Sequence, residues 1–403
     1  MISIVNENEC CGCGVCIAAC PKKCIRFETR TLGAVFPVVD ETKCVDCGRC
    51  DSVCPMIRRV LHPSTLILSD RKVYAAYAKD VALWNEGSSG GMFPVIAHKL
   101  IDGGYEVYGA AFDEHLQLHH ICAHSHQEIR PLFKSKYILS DTIAVYEEIS
   151  QKLKNGKKVL YVGAPCQVTA LKNYLGKLAN ENVANLVLID FFCHGVPSQR
   201  FFDECLQYED KKHHEKTLEY RFRVKKKNGS TMHYYGTVVQ KGKKRIKRVR
   251  LYFNSLYYAA FQQYVSLRES CYNCWFNGEE RSSDITIADF HEIEEYVSGQ
   301  DRFKGMSKVL VNTQCGQELF ETVRSELAVF DIDTEKLKRN GGWFGGVTER
   351  PKKRDEFVKH YNEFGIDGLA HRELNKRKYW KHKIYYRMPR CIRNELLQTF
   401  RGE

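Results

Sequence analysis

Two stretches of this chain repeat one spacing of cysteines. "CCGCGVCIAACP" sets Cys10, Cys13, Cys16 and Cys20 in the pattern C-x2-C-x2-C-x3-C-P, and "CVDCGRCDSVCP" sets Cys44, Cys47, Cys50 and Cys54 in the same pattern. No helix or strand needs thiols at these intervals, but a pair of cubane iron–sulfur clusters does. Three closely spaced thiolates hold three irons of one cubane, and the fourth cysteine crosses to the other, as in bacterial two-cluster ferredoxins. Pro21 and Pro55 turn the chain after each run. The duplication predicts a bacterial-type dicluster ferredoxin domain over residues 1–60, holding two [4Fe-4S] clusters. Cys11 and Cys24 fall outside the pattern and read as small apolar residues rather than ligands.

The chain has 18 cysteines in 403 residues. The opening "MISIVNENECC" has neither a basic nor an apolar leader region, so a cytoplasmic location is expected. There disulfides are a poor explanation for so many thiols, and metal or redox chemistry is the better one. No apolar run approaches the roughly 18 residues of a membrane span. The net charge of +12 is uneven: His371–Glu403 carries ten Lys or Arg against three Glu, and "KGKKRIKRVR" fills Lys241–Arg250. A solvated surface accounts for such runs as well as attraction to an acidic partner does. The tail's mixture of charge with Tyr379, Trp380, Tyr385 and Tyr386 suits peripheral association with an anionic membrane surface at the inner face. Nucleic acid is not expected as a partner.

Between the ends, residues 61–72 read as a linker, residues 73–330 as a mixed α/β domain, and residues 331–403 as a basic, partly helical C-terminal extension. The overall class is α+β or α/β. "KVYAAYA" reads as a strand and "GMFPVIAHKLIDGG" as a helix closed by glycines. "YEVYGAAFD" and "LQLHHICAH" suit a hairpin, and "DTIAVYEEISQKLKNG" an amphipathic helix with Asp141 as its N-cap. "KKVLYVG", "QVTALKNYLGKL" and "NLVLIDFFC" form a strand–helix–strand series whose continuous apolar strands predict a parallel βαβ unit.

Cys271 and Cys274 of "CYNCWF" form a further C-x-x-C pair that lacks two ligands. Cys166 follows one predicted parallel strand and Cys193 ends the next. Ligands of open α/β sheets collect at the carboxyl ends of strands, so the four thiols can meet at one edge. Such a set suits a third [4Fe-4S] cluster or zinc, unless Cys166 and Cys193 are simply buried core thiols. In "NEGSSGGMF", Ser88, Ser89, Gly90 and Gly91 precede a predicted helix. Small residues at a helix N-terminus suit a phosphate, and a plain flexible turn suits the same sequence. His194 reads as a proton donor or as a backbone-bonded turn residue. His119, His120, His124 and His126 read as the surface of a polar hairpin. No side-chain nucleophile or paired-carboxylate constellation is evident.

The ferredoxin-type runs, "SSGGMF", "SKYILS", "VGAPCQVTAL", "CHGVPS", "LRESCYNCWF" and "RSSDITIADF" occur in this order. With them the chain resembles the coenzyme F-420 hydrogenase/dehydrogenase beta-subunit family over roughly residues 1–330. The resemblance implies FAD in the α/β domain and a [4Fe-4S] cluster nearby, with Cys166, Cys193, Cys271 and Cys274 as its ligands. It also implies a flavin site around Ser88, Ser89, Gly90 and Gly91, Lys136, Tyr137 and Ser140, and Gly163 of "VGAPCQV". The implied function is an iron–sulfur flavoprotein oxidoreductase. It would exchange electrons between a redox partner protein or a small two-electron acceptor and its own clusters. The alternative is a passive relay subunit without a substrate site. "DFHEI" at Asp289–Ile293 and the basic tail depart from the F-420 enzymes. They bring the chain closer to members associated with surface polysaccharides.

Overall fold

The computed structural model describes residues 2–3, 6–57, 71–182, 184–225, 234–278, 281–300, 305–340 and 346–373. The linker lies almost wholly outside the described residues, and so do residues 374–403 of the basic tail. No helix among the described residues is long and apolar enough to cross a membrane.

The cysteine-rich segment carries two short helices, Val15–Ala19 and Arg49–Val53, and a hairpin of β1 (Ile25–Thr29) and β2 (Val35–Val39). Each helix starts at a glycine in the left-handed region, Gly14 at φ 73° and Gly48 at φ 68°. The two runs thus repeat in three dimensions as they do in sequence.

The rest is built on one eight-stranded sheet. Its strands are β3 (Val73–Ala78), β4 (Tyr105–Phe112), β5 (Leu118–Ala123), β6 (Lys158–Val162), β7 (Leu186–Phe191), β11 (Ile285–Asp289), β12 (Ser307–Val311) and β13 (Leu327–Asp331). They lie in the order β13-β3-β12-β11-β7-β6-β4-β5. The four central strands, β4, β6, β7 and β11, run parallel, and antiparallel pairs flank them on both sides. β6, the helix Pro165–Leu175 and β7 are the parallel βαβ unit expected from the sequence. β6 and β7 are buried along most of their length, which explains their unbroken apolar text. A second, antiparallel sheet holds β8 (Lys216–Arg221), β9 (Tyr234–Lys241) and β10 (Lys244–Leu251).

One reading of the sequence changes. The helix Ile143–Lys154 takes Thr142, not Asp141, as its N-cap residue. The Thr142 hydroxyl is diverted from capping: it donates to the Cys13 carbonyl at 2.8 Å. Asp141 instead accepts the Ile143 N–H at 2.9 Å from one position further out. The basic run Lys241–Arg250 is the β9–β10 turn and the edge strand β10. Arg248 and Arg250 of this strand pair with the buried Glu215, and its exposed lysines protect a sheet edge from pairing with other chains. Residues beyond 330 are also tied to the body. β13 closes the sheet edge, Leu337 is buried, and Arg354 donates to the Val265 and Leu267 carbonyls and pairs with Glu269.

The N-terminal segment shares a core with the body. Cys11, Cys13, Val15, Ala19 and Val53 are buried against Tyr146, Ile149, Val168 and Leu171 of the helices Ile143–Lys154 and Pro165–Leu175.

Candidate functional site

Three groups of cysteines form in this fold. Cys54, from the second run, lies beside Cys10, Cys13 and Cys16 of the first. Cys20, from the first run, joins Cys44, Cys47 and Cys50 of the second around a small void walled by Ile25, Val39 and Val45. Each group therefore takes three thiols from one run and one from the other. Cys24, which the sequence reading set aside, has its Sγ 3.4 Å from that of Cys20.

The third group forms at the carboxyl ends of β6 and β7. Cys166 sits in the first turn of the helix Pro165–Leu175, directly after β6. Cys193 lies two residues past β7, and its N–H donates to Asn277 Oδ1 at 3.4 Å. Cys271 and Cys274 come from the 3-10 turn Glu269–Asn273 and its C-cap. All four line one enclosed void, together with Met56, Gly195 and Phe276. Cys11 lines it too, within hydrogen-bonding reach of the Cys13 and Cys166 thiols. Cys11 thus stands between the first group and the third.

The donor set fits a metal cluster. Burial pushes the Cys193 thiol up to about 12 and the Cys274 thiol up to about 11. Four such thiols in one void need a bound metal's charge to become ligating thiolates. Gly195 leaves the space open: at φ 100°, a Cβ there would lie 2.9 Å from Cys271 Cβ.

Arg268 joins the groups. Its Nη2 donates to the carbonyls of Cys10 at 3.1 Å and Val35 at 2.7 Å. Its backbone N–H donates to Val196 at 3.1 Å, and its carbonyl accepts from Cys271 at 3.0 Å. Gly12, at φ 73°, makes room for the guanidinium, which a Cβ would approach to 2.8 Å. One buried residue thus holds the first run through its side chain and the segment that carries Cys193 through its backbone.

Beside the third group is a cavity of about 650 Å³, within the roughly 300–1,000 Å³ usual for cofactor and ligand pockets. Ser88, Ser89, Lys136, Tyr137, Ser140 and Gly163 all line it, whereas Gly90 and Gly91 do not. Gly90 is instead needed for packing, because a Cβ there would lie 2.3 Å from the Ala76 carbonyl, and its N–H donates to Ser307 Oγ at 3.0 Å. Gly91 is the left-handed N-cap of the helix Met92–Asp102. Ser88 accepts from the Ser135 N–H at 2.8 Å, and Ser89 donates to the Met306 carbonyl at 2.6 Å. The Lys136 ammonium donates to the Pro131 and Phe133 carbonyls at 2.8 and 2.9 Å, so its charge holds a loop. Tyr137 stacks on Phe261 with ring centroids 4.9 Å apart.

Ser140 belongs to a buried chain. Gln167 Nε2 donates to Ser140 Oγ at 3.1 Å, Ser140 lies 2.9 Å from His120 Nδ1, and His120 Nε2–H donates to the Val162 carbonyl at 2.9 Å. Burial holds the His120 pKa down at about 4, so the ring stays neutral. His120 is thus part of the cavity wall and not hairpin surface. The other hairpin histidines stay outside: His119 lies beside Asp113, His126 against His98 and Asp102, and His124 near Glu106 and Cys122. Glu106 is already neutralised by Lys152 at 2.9 Å. His194 lines the cavity beside Cys193.

Residues 156–335 match the sequence model for the C terminus of the coenzyme F420 hydrogenase/dehydrogenase beta subunit. The matched span holds Cys166, Cys193, Cys271 and Cys274. Over that span, a little under half of its length, the chain is similar to this family. No curated protein sequence matches it. Among solved structures, a chain of the F420-reducing [NiFe] hydrogenase complex from Methanosarcina barkeri is similar, with a TM-score of 0.47 and 14% identity over 75% of this chain and 94% of that one. A likeness at that level bears on neither the site nor the activity.

Proposed function

We propose that the chain is a member of this family and an iron–sulfur flavoprotein oxidoreductase. In this reading Cys10, Cys13, Cys16 and Cys54 hold one [4Fe-4S] cluster, and Cys20, Cys44, Cys47 and Cys50 a second. Cys166, Cys193, Cys271 and Cys274 hold a third, and the adjoining cavity holds FAD. The clusters carry single electrons and the flavin collects two, so the bound groups supply the chemistry and the chain supplies position, shielding and potential.

One observation carries the reading: the third cysteine group and the cavity share a wall, made by Ala164, Cys193, Gly195 and Val196. A four-thiol centre beside a cofactor-sized cavity is what electron exchange between them needs. A zinc site would gain nothing from that position, since zinc carries no electron. The cavity also disfavours a passive relay, which needs no pocket. The residues around the wall have definite tasks. Pro165 starts the helix that presents Cys166, Asn277 orients the Cys193 backbone, and Arg268 fixes the first run beside the third group.

The test uses the full chain purified without oxygen. Cys271→Ser should keep its flavin yet slow the reduction of that flavin by a reductant acting through the N-terminal clusters at least tenfold. Flavin reduced at the wild-type rate in this variant would reject the third centre as the route.

A further inference from the structure

The cations around the cavity are not equivalent. Arg223 Nη1 donates to both Asp289 oxygens, at 2.9 and 2.7 Å. Lys136 is bound to backbone carbonyls, and Lys308 lies 3.6 Å from Glu292. Lys134 lines the same cavity and has no carboxylate within ion-pair distance among the described residues. Its strongest charged neighbours are the Arg221 and Arg223 guanidiniums; Glu86 is the weaker influence and is itself paired with Arg130 at 2.6 Å. Burial, then these two arginines, hold the Lys134 pKa down at about 8.

The backbone adds a second observation. Lys134 is in the left-handed region, at φ 67°, where a long side chain is uncommon. Strain of this kind collects where a fold aims a side chain at a ligand. A partly buried ammonium beside like charges is unfavourable unless an anion completes the site.

We propose that Lys134 is the anion-binding point of the cavity and takes a phosphate oxyanion of the molecule bound there. The site itself stands on the geometry; naming the molecule rests on the flavin reading given above. A phosphate can come from two sources, the pyrophosphate of a flavin dinucleotide or a phosphorylated acceptor, and both offer the same oxygens to an ammonium.

The experiment takes the full chain, purified without oxygen and stripped of flavin, as wild type, Lys134→Gln and Lys134→Arg. Each is titrated with FAD, riboflavin and inorganic pyrophosphate by calorimetry. Riboflavin carries the ring system without phosphate. Loss of one charge-assisted hydrogen bond should weaken binding about tenfold or more. Lys134→Gln should therefore weaken pyrophosphate by that factor and leave riboflavin unchanged, with Lys134→Arg close to wild type. FAD weakened in parallel identifies the cofactor's own phosphates. FAD unchanged, with Lys134-dependent pyrophosphate binding to the flavin-loaded chain, identifies the acceptor's. Pyrophosphate and FAD bound equally by wild type and Lys134→Gln, or riboflavin weakened as much as either, overturns the proposal. Wild type that binds pyrophosphate through Lys134 but neither FAD nor riboflavin keeps the anion point and removes the flavin reading. Wild type that binds none of the three removes both.

Discussion

Gly195 shows how much of the site turns on one residue. It follows Cys193 closely, has φ 100°, and a Cβ there would meet Leu267 Cδ1 at 2.7 Å and Cys271 Cβ at 2.9 Å. An L-residue in that conformation costs about 1–3 kcal/mol before any clash is counted. Gly195→Ala should push Cys271 off the third group and lose about four irons per chain, with the N-terminal clusters and the flavin retained. Iron and sulfide analysis checks this, and an unchanged iron content would refute the role. At this scale the sequence was legible where spacing is itself the chemistry, as in the eight cysteines of the two runs. It was not legible for Cys11, whose partner Cys166 comes from a distant part of the chain. Gly90 was misplaced for the opposite reason: a glycine packed against the backbone of β3 has the same sequence appearance as one that cradles a ligand.

The elements explain why the cysteine groups are mixed. The helices Val15–Ala19 and Arg49–Val53 each end directly before the fourth cysteine of their run, with Cys20 and Cys54 as their C-caps. That placement sends each fourth thiol to the group of the other run. Cys20→Ser should accordingly perturb the cluster held mainly by the second run, and Cys54→Ser the cluster of the first. Electron paramagnetic resonance of the reduced full chain distinguishes the two, and a change confined to each variant's own run would rule out the crossing. The parallel βαβ unit and the β4–β5 hairpin were legible because continuous apolar strands and close turns are local signals. The strand order was not. β3, the first strand of the large sheet, lies between β13 and β12, which come from the end of the described chain. No local pattern records such a pairing. The same limit applies to Leu327–Asp331, where the final residue of an edge strand extends past residue 330, the end expected for the α/β domain.

Across the whole molecule, the three cysteine groups and the cavity form a series. The second group lies outermost, in the segment where Cys47 is exposed. The first group follows, tied to the body by Arg268 and by the Thr142 and Tyr146 hydroxyls, both of which donate to the Cys13 carbonyl. The third group adjoins the first through Cys11, and the cavity shares the wall of the third. Such a series has a direction only if every station is filled by a redox group, and this is the central claim. Cofactor stoichiometry of the anaerobically purified full chain tests it most directly. The account predicts about twelve irons, a matching amount of sulfide and one flavin per chain. About eight irons with one zinc, or twelve irons with no flavin, would contradict it.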